Sequence, residues 1–358
     1  MRVFLEDGTP VKLSSQKLGD GGEGTVYLVD SNQRFIEKCV KIYTKPKQEQ
    51  HEKIKFMVKN TPSFFDNDGC KICWPEQIIY DRNKNFIGFM MPCAYPNSVT
   101  LNRFISLGRK VPWIDKYDLK TDAGLRRRIG LCKNIARVFY FIHRANFYVV
   151  GDVKPHNILL DENCNISLVD LDSIQIIDTN KGVKFFTLVA SAEYAAPEVM
   201  REIMKDTGRT AIHMTADKFS MALLFYFILV GIHPYAVSPK NVSDSGHNSL
   251  QDLIKNGYYA HGKRVSDIYK MNTLHNNLHQ LPPEIQNLFK KNLCDGVNNP
   301  LTRAPASTWG QLFEKVLKDP SSHKLVTNSE LKAMNRVTIS KIKRMNILQR
   351  LKSRHQGD

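Results

Sequence analysis

The sequence predicts an α+β protein in which a small β-rich part precedes a larger helical part. Strand-type patterns fill the first part, helical periodicity begins near Leu125, and the connection 92–96 between them carries two prolines. The 358 residues are 42% hydrophobic and 24% charged, which are ordinary globular proportions. A mainly disordered chain and a disulfide-stapled chain are therefore excluded.

The individual elements follow from the same patterns. A short polar helix near 48–59 interrupts a run of strands in the first part. The strands are predicted at 26–29, 39–43, 77–80 and 86–91. The apolar run 221–230 has ten residues, whereas a helix that crosses a bilayer needs about 20, so this run predicts a buried helix.

We expect three parts: 1–92, 93–320 and a basic helical extension at 321–358. The extension carries nine Lys or Arg and two acidic residues, and the whole chain has a formal net charge of +16. Such charge suits anionic partners such as nucleic acid or a membrane surface. The extension has no aromatic residues for stacking on bases, so a solvated surface is favoured over both partners. No sequence feature decides the oligomeric state.

The cysteines and the N-terminus indicate the compartment. Of seven cysteines, only Cys70 and Cys73 have C-x-x-C spacing, and no second pair completes a zinc site. A turn with buried thiols is favoured over a metal site, and a reducing environment fits best. Glu6 and Asp7 interrupt any apolar signal-peptide core. We therefore expect a cytoplasmic protein, with a secreted effector as the alternative.

A glycine-rich segment lies near the N-terminus. Gly19, Gly21 and Gly24 follow the spacing G-x-G-x-x-G, and Val26 comes two residues later. The residues after the last glycine are β-branched and apolar, so a hairpin is predicted rather than the helix of a dinucleotide-binding turn. Glycine lets backbone N–H groups approach an anion closely, and such a hairpin can fold over phosphates.

Lys41 stands inside an apolar strand, fifteen residues after Val26. A buried ammonium needs a partner, so an inward-facing Lys41 implies a bound anion and a nearby carboxylate. Glu52 on the following helix is our choice for that carboxylate, and Glu49 is the second choice.

The segment 149–172 gathers the groups that phosphoryl transfer needs. Asp152 is suited to accept the proton of an attacking hydroxyl, and Lys154 to neutralise charge on the transferred group. Asn157 and Asp170 offer the oxygen ligands that Mg²⁺ prefers.

These motifs together resemble a eukaryotic-like Ser/Thr protein kinase, over about residues 13–317. Further residues fall where the family has its A-P-E segment, its activation-segment Ser or Thr, the aspartate that braces the catalytic loop, and the arginine that pairs with the A-P-E glutamate. They are Ala196-Pro197-Glu198, Ser191, Asp217 and Arg303.

The resemblance implies a bilobal fold, ATP with Mg²⁺ or Mn²⁺, and transfer of the γ-phosphoryl group to Ser or Thr of a protein substrate, with autophosphorylation. It also places the adenine against the backbone of 90–94, with Met90 or Met91 at the back of the pocket. Pro92 has no N–H, so Cys93 or Ala94 must supply the donor.

Two motifs depart from the family pattern and indicate a divergent branch. Val150-Gly151-Asp152 replaces H-R-D, which removes the arginine that reads an activation-loop phosphate, so basal activity should not require phosphorylation. Asp170-Leu171-Asp172 replaces D-F-G and adds a carboxylate beside the metal site. We expect Asp172 to be dispensable, with Asp172→Gly remaining active, and a further metal ligand is the rival interpretation.

Two other functions stay open from the sequence. Gly151-Asp152 resembles the G-D of small-molecule kinases of the aminoglycoside or choline type, but Lys154-Pro155 and the A-P-E segment favour a protein substrate. A nucleotide-binding pseudokinase scaffold fits Asp172 and the missing arginine. Against the scaffold, all four of the groups needed for catalysis and metal binding are retained: Lys41, Asp152, Asn157 and Asp170.

Overall fold

The computed structural model describes residues 1–30, 34–62, 69–106, 111–187, 191–203, 211–240 and 249–319. These residues form a mixed α+β structure: seven strands and one helix lie in the first part, and eight short strands and seven helices lie in the second. The α+β prediction is therefore confirmed. The predicted basic extension at 321–358 lies outside the described residues, and its helical character stays a prediction.

Six strands of the first part close into an antiparallel barrel, and a seventh, β5 (Cys70–Ile72), lies outside it. The barrel strands are β1 (Arg2–Phe4), β2 (Pro10–Asp20), β3 (Gly24–Val29), β4 (Lys38–Tyr43), β6 (Gln77–Tyr80) and β7 (Phe86–Pro92). Their order is β1-β2-β3-β4-β7-β6, and the pair Phe4 and Tyr80 closes the ring. All four predicted strands are present. Alternate side chains such as Val11, Val40 and Ile79 fill the interior.

Helix α1 (Gln48–Lys59) packs against this barrel and has the bounds that the sequence predicts. Gln50 accepts a hydrogen bond from the Lys47 backbone at its N-terminus, which helps to begin the helix there. Residues three or four apart share a helix face, and the buried face of α1 consists of Lys53, Ile54 and Met57. The neighbouring Glu52 is on the exposed side.

The second part is built on helices, as the helical period that begins near Leu125 predicts. They are α2 (Leu101–Ile105), α3 (Asp122–His143), α4 (Pro197–Ile203), α5 (Thr215–Val230), α6 (Leu250–Lys255), α7 (Pro283–Leu293) and α8 (Ala306–Lys318). Thr121 caps α3 by accepting from the Gly124 N–H, and α5 ends where Gly231 takes a φ of +89°. The apolar run of α5 is buried except for the half-buried Phe227, as predicted.

Eight short strands lie among the helices of the second part. They are β8 (Val99–Thr100), β9 (Tyr148–Val149), β10 (Ile158–Leu160), β11 (Ile166–Leu168), β12 (Gln175–Asp178), β13 (Val183–Phe185), β14 (Val237–Pro239) and β15 (Ile268–Met271). Three small sheets result, in the orders β5-β11-β10-β8, β13-β12-β9 and β14-β15. The hairpin β10–β11 fixes the distance between the loop before it and the turn after it, because its register pairs Ile158 with Leu168.

Short 3₁₀ helices of three or four residues, and one of eight at Thr273–Gln280, connect these elements. They lie at Ile114–Tyr117, Pro155–Asn157, Leu171–Ser173, Val265–Asp267, Thr273–Gln280, Asp295–Val297 and Pro300–Thr302. Among the described residues, no helix combines the length and the apolar character that a membrane crossing requires.

Candidate active site

The glycine-rich segment forms the predicted hairpin between β2 and β3. Gly19 pairs with Val26 across the hairpin, and the Gly21 N–H donates to the Gly24 carbonyl at 3.1 Å. A Cβ on Gly24 would lie 2.3 Å from the Ile42 carbonyl oxygen, so only glycine lets β3 and β4 approach there. Val26 pairs with Lys41 on β4, which places the glycine-rich hairpin beside that lysine.

Lys41 is buried, with 5% of its surface exposed, and two aspartates hold its ammonium group. Nζ donates to Asp170 Oδ1 at 2.7 Å and to both oxygens of Asp172 at 2.8 Å. Burial alone would lower the pKa of Lys41, but the charges and hydrogen bonds of Asp172 and Asp170 outweigh it and raise the pKa. The lysine is therefore a permanent cation at the centre of the site.

The choice of Glu52 as the partner of Lys41 is wrong. Glu52 is exposed and accepts a hydrogen bond from Gln48 at 3.0 Å, and the second choice, Glu49, is exposed as well. The face that α1 turns inward carries Lys53 instead, with 8% of its surface exposed. Successive helical residues point about 100° apart, so a shift of one position replaces a carboxylate by an ammonium.

Lys53 is a second buried cation close to the same aspartate. Burial lowers the pKa of Lys53 to about 8, although the charges of Asp172, Glu23 and Glu49 partly counteract it. The Lys41 charge acts in the same direction as burial. Within the described chain, no carboxylate lies within 4.0 Å of the Lys53 ammonium.

Asp172 accepts hydrogen bonds from two residues of β4, Lys41 and Tyr43. It is buried in the 3₁₀ turn Leu171–Ser173, and besides Lys41 it accepts from the Tyr43 hydroxyl at 2.8 Å. Burial together with the charge of Asp172 raises the pKa of Tyr43, which keeps the hydroxyl a donor. A carboxylate with this many donors is a structural centre, so the expectation that Asp172 is a dispensable addition does not match its position.

Asp170 lies at the end of β11, at the entrance to this turn. Its φ of +60° and ψ of +40° are left-handed values, which few non-glycine residues adopt and Asp adopts more often than most. Its side chain is 43% exposed, in contrast to the 3% of Asp172. One of its oxygens binds Lys41, and the exposed carboxylate can still bind a cation.

Asn157 is tied to both neighbouring segments by hydrogen bonds. Its Nδ2 donates to the Asp152 carbonyl at 3.2 Å, and its own carbonyl accepts from the Val169 N–H at 2.9 Å. The amide nitrogen is thereby engaged, which leaves Oδ1 as an acceptor. Asn157 and Asp170 together fit a Mg²⁺ ion, because they offer hard oxygen ligands and leave positions for phosphates and water.

Asp152 is almost fully buried, with 3% of its surface exposed, and both of its carboxylate oxygens are engaged. Lys154 Nζ donates to Oδ2 at 2.5 Å. Ser191 donates to Oδ1 twice, from its backbone N–H at 3.0 Å and from its hydroxyl at 2.9 Å. Ser191, which the resemblance places in the activation segment, is thus in direct contact with Asp152.

Asp217 holds the backbone that precedes Asp152. At 1% exposure it accepts from the N–H groups of Val150 and Gly151 at 2.8 and 2.9 Å, and His143 Nε2 lies 2.9 Å from the same carboxylate. Hydrogen bonds to a buried carboxylate are charge-assisted and strong. Asp217 therefore braces the catalytic loop as the sequence predicts.

Gly151 stands in the position where the family has arginine, and its backbone conformation suits glycine. Its φ is +73°, and a Cβ there would lie 2.8 Å from the Thr187 methyl group. Thr187 is itself buried. The side chain of Thr187 thus occupies space that the first carbon of a longer residue would need.

The A-P-E segment begins helix α4 and is held by an ion pair. Arg303, whose side chain is fully buried, donates to Glu198 through two nitrogens at 2.5 and 2.8 Å. The same guanidinium also donates to the carbonyls of Gly296 and Thr215. The predicted pair of Glu198 with Arg303 is therefore confirmed, and it is bidentate.

The predicted adenine segment follows β7. The Cys93 N–H donates to the Glu37 carbonyl at 2.7 Å, whereas no acceptor among the described residues takes the Ala94 N–H. Met91 packs in the large core with Phe89, while Met90 belongs to the interior of the barrel. The geometry thus favours Ala94 as the donor and Met91 as the side chain at the back of the pocket.

The C-x-x-C pair agrees with the interpretation as buried thiols. Cys70 lies in β5, and Cys73 follows it; both are buried and neither forms a disulfide. In the part of the chain that the structure describes, no cluster of His, Cys, Asp and Glu could hold a metal ion. The Asn157 and Asp170 pair is a different kind of site, because phosphate oxygens would complete it.

Comparison with known proteins identifies the family. The profile of the protein kinase domain matches residues 13–320, and the chain therefore belongs to the eukaryotic-like protein kinase superfamily. Its relatives are distant. A protein kinase named YegI from Escherichia coli strain K12 is 28% identical over 276 residues, which are 73% of this chain and 38% of the relative.

Other relatives match shorter stretches. The citron Rho-interacting kinase of Homo sapiens is 31% identical over 104 residues, or 28% of this chain and 5% of the relative. Serine/threonine-protein kinase 32C of Mus musculus is 30% identical over 118 residues, or 33% of this chain and 23% of the relative. The chain thus spans well under half the length of these relatives.

Sequence reasoning missed three members of the site, namely Asp172 as a partner of Lys41, Tyr43 and Lys53. A signal for Lys53 exists, because Ile54 and Met57 define the apolar stripe of α1 and Lys53 lies next to it. No comparable signal exists for Asp172, because its contact with Lys41 joins residues 131 positions apart.

Proposed function

We propose that this protein is an ATP-dependent kinase that transfers the γ-phosphoryl group of ATP to Ser or Thr hydroxyls of a protein, itself included. The observation that carries the proposal is the buried carboxylate of Asp152, which already accepts a hydrogen bond from a serine hydroxyl at 2.9 Å and from Lys154 at 2.5 Å. A substrate hydroxyl in that position would be oriented for attack.

The chemical step needs few protein groups. The hydroxyl oxygen forms a bond to the γ-phosphorus as the bond to the β–γ bridging oxygen breaks, and the hydroxyl proton passes to Asp152. The ammonium of Lys154 is close enough to Asp152 to stabilise negative charge on the transferred group. ADP and a phosphorylated side chain are the products.

The nucleotide would lie between the barrel and the helical part, which we infer to be the two lobes, 1–92 and 93–320. The hairpin of Gly19, Gly21 and Gly24 would cover the phosphates, with Val26 against the base. Lys41 would bind the α- and β-phosphates. The backbone of Met91, Cys93 and Ala94 would line the adenine pocket, with the Ala94 N–H as the donor.

A divalent cation fits the oxygen donors of Asn157 and Asp170. When bound, Mg²⁺ or Mn²⁺ would neutralise charge on the phosphates during transfer. The chain's own contribution is to hold these donors still: the Asn157 amide donates to the Asp152 carbonyl, and Asp170 lies two residues after the end of β11.

A protein substrate is favoured over a small molecule by the segment between Ser191 and Glu198. Ser191 binds Asp152, and seven residues later Glu198 is anchored to Arg303, so the segment is fixed at both ends beside the catalytic carboxylate. Such an ordered segment offers a peptide an edge to bind. The relatives named as protein kinases give the same indication.

The test offers both kinds of acceptor to one enzyme. Purified protein is incubated with γ-labelled ATP and Mg²⁺, with casein in one arm and with choline or kanamycin in another, and Asp152→Asn serves as the blank. We expect label on Ser or Thr of the kinase and of casein, located by mass spectrometry. Label only on the small molecules would replace the proposal with a small-molecule kinase. Nucleotide binding without any transfer would indicate a scaffold.

A further inference from the structure

We infer that Asp172, in the turn after the metal-binding aspartate, is the residue that positions Lys41, in place of the helix carboxylate that protein kinases use for this purpose. The inference rests on the proposed function, since it assigns a role within that active site. It concerns a positioning residue, because Asp172 acts on the phosphates through Lys41.

The contacts of Asp172 are those of an anchor. Both of its oxygens lie 2.8 Å from Lys41 Nζ, and the Tyr43 hydroxyl adds a third hydrogen bond at 2.8 Å. Lys41 and Tyr43 are two residues apart on β4 and so point to the same side of the strand. Asp172 therefore fixes the end of β4 as well as the ammonium group.

Helix α1 cannot supply the usual carboxylate. In protein kinases a glutamate on this helix pairs with the strand lysine. Here the inward position holds Lys53, and both Glu49 and Glu52 are exposed. The carboxylate that pairs with Lys41 is therefore in the turn, at Asp172, and the inward face of α1 carries the positive charge of Lys53.

The two aspartates beside Lys41 differ in their exposure to solvent and in the number of their contacts with its ammonium group. Asp170 makes one contact and its side chain is 43% exposed, which suits a residue that binds a cation with the nucleotide. Asp172 is 3% exposed and would leave Lys41 and Lys53 without a buried counter-charge if it moved away. Asp172 is therefore the permanent partner, and Asp170 is the exchangeable one.

Among the described residues, Glu23 is the one further carboxylate within 4.0 Å of Lys41 Nζ. It lies on the glycine-rich hairpin, its closest oxygen is 4.0 Å from Nζ, and its side chain is 59% exposed. At that distance and exposure the interaction is weak. Glu23 therefore does not replace Asp172 as the anchor.

The test removes the carboxylate of Asp172 and, in one variant, introduces a carboxylate on the inward face of α1. Four proteins are compared with the wild type: Asp172→Asn, Asp172→Asn with Lys53→Met, Asp172→Asn with Lys53→Glu, and the control Glu52→Gln. Each is assayed for kcat and KM for ATP in the presence of Mg²⁺. Binding of Mg²⁺ with the non-transferable analogue AMP-PNP is measured by calorimetry, and folding by thermal unfolding.

We expect Asp172→Asn to weaken AMP-PNP binding and to lower kcat/KM about 10- to 100-fold, because a buried charge-assisted contact is lost. Adding Lys53→Glu should recover at least a third of the decrease in the logarithm of kcat/KM. Adding Lys53→Met should recover less, because it removes the second cation without giving Lys41 a partner. Glu52→Gln should match the wild type.

The outcomes separate this inference from the proposed function. Near-wild-type binding and kcat/KM in Asp172→Asn would overturn the inference and leave the kinase assignment intact. Equal recovery by Lys53→Met and Lys53→Glu would also overturn it, since Asp172 would then serve only to neutralise Lys53. If the wild type binds AMP-PNP but transfers no phosphate, the proposed function fails while the pattern of affinities still decides the inference. A wild type that binds no nucleotide would overturn both.

Discussion

The barrel side and the helical side of the active site keep their family pattern to different degrees. On the helical side, Asp217 makes the bracing contact that the resemblance implies, Lys154 donates to the Asp152 carboxylate, and Asn157 donates to the Asp152 carbonyl. On the barrel side, the strand lysine is present, but the helix position that faces it holds another lysine. The carboxylate that Lys41 needs comes from Asp172, which belongs to the helical side.

The difference has a physical cause. The helical side depends on backbone groups at fixed separations: Asp217 accepts two consecutive N–H groups, and Asn157 joins the carbonyl of one segment to the N–H of another. A changed side chain there breaks several contacts at once. The barrel side depends on the charge at the end of a long side chain, and any carboxylate that reaches Lys41 can serve.

The largest effect should come from Asp152→Asn on the helical side. The amide keeps the shape of the carboxylate but cannot accept a proton, so we expect kcat to fall about 10²- to 10⁴-fold. The affinity for AMP-PNP should stay within about twofold of the wild type, because Asp152 faces the acceptor. Steady-state rates and calorimetry measure the two quantities. Unchanged kcat would remove Asp152 from the chemistry.

Glu198→Gln tests how firmly the helical side is braced. The change leaves the fully buried Arg303 without its bidentate partner, and breaking such a pair costs about 3 kcal/mol in the free energy of unfolding. The control is Glu162→Gln, whose ion pair with Lys116 has side chains 50% and 48% exposed and should contribute far less to stability, because solvent screens it. Urea titrations measure both, and equal losses would contradict the difference in burial.

Lys53→Met tests whether the buried lysine on the barrel side lowers the stability of the fold in a pH-dependent way. The pKa of Lys53 is lowered from 10.5 to about 8, so between these values the unfolded chain binds more protons than the folded one. The loss of folding stability caused by burying the Lys53 charge is therefore complete below about pH 8 and decreases as the pH rises toward 10. We expect the variant to gain most relative to the wild type at pH 7, by up to about 3 kcal/mol.

The measurement is chemical denaturation at pH 7, 8, 9 and 10, with the exposed Lys59→Met on the same helix as the control. Lys41 does not contribute to the pH dependence between pH 7 and pH 10. Its pKa is higher in the folded protein than in the unfolded chain, so Lys41 is charged in both over this range and affects the pH dependence of stability only at higher pH. A difference between Lys53→Met and the wild type that stays constant over these four values would contradict the lowered pKa.

Gly151→Arg would restore the family arginine at one of the positions where the helical side departs from the pattern. A non-glycine residue at φ +73° costs about 1 kcal/mol, and the new Cβ would meet the Thr187 methyl group at 2.8 Å. We expect a loss of about 2 kcal/mol. Gly182→Ala is the control, with φ +65° and no atom within 4 Å of the new Cβ. Equal losses in the two variants would show that Thr187 does not matter.

The smallest effect should follow phosphatase treatment. With no arginine beside Asp152 there is no buried guanidinium for a phosphate to offset, so the initial rate of the dephosphorylated kinase should stay within about twofold of the untreated protein. Mass spectrometry confirms the removal of phosphate before the assay. A rate that begins near zero and recovers as phosphate returns to Thr179 or Thr187 would overturn this interpretation of Gly151.

The sequence by itself determined the order of the elements and most of the helical side. Strand and helix patterns located α1 and the four barrel strands, because local propensity and periodicity act within a few residues. The spacing from Asp152 to Asn157 and Asp170 determined which groups lie near one another, since a short loop and the tight β10–β11 hairpin separate them. Short connections leave the chain few alternatives.

Only the tertiary structure decided which carboxylate binds Lys41. The pattern of α1 allowed Glu52 to face inward, but the packing of Ile54 and Met57 against the barrel sets the helix rotation, and that rotation buries Lys53. Asp172 reaches Lys41 across 131 residues of sequence, from a turn whose orientation depends on the left-handed backbone of Asp170. Helix rotation and long-range contacts follow from how the whole core packs, which no local pattern specifies.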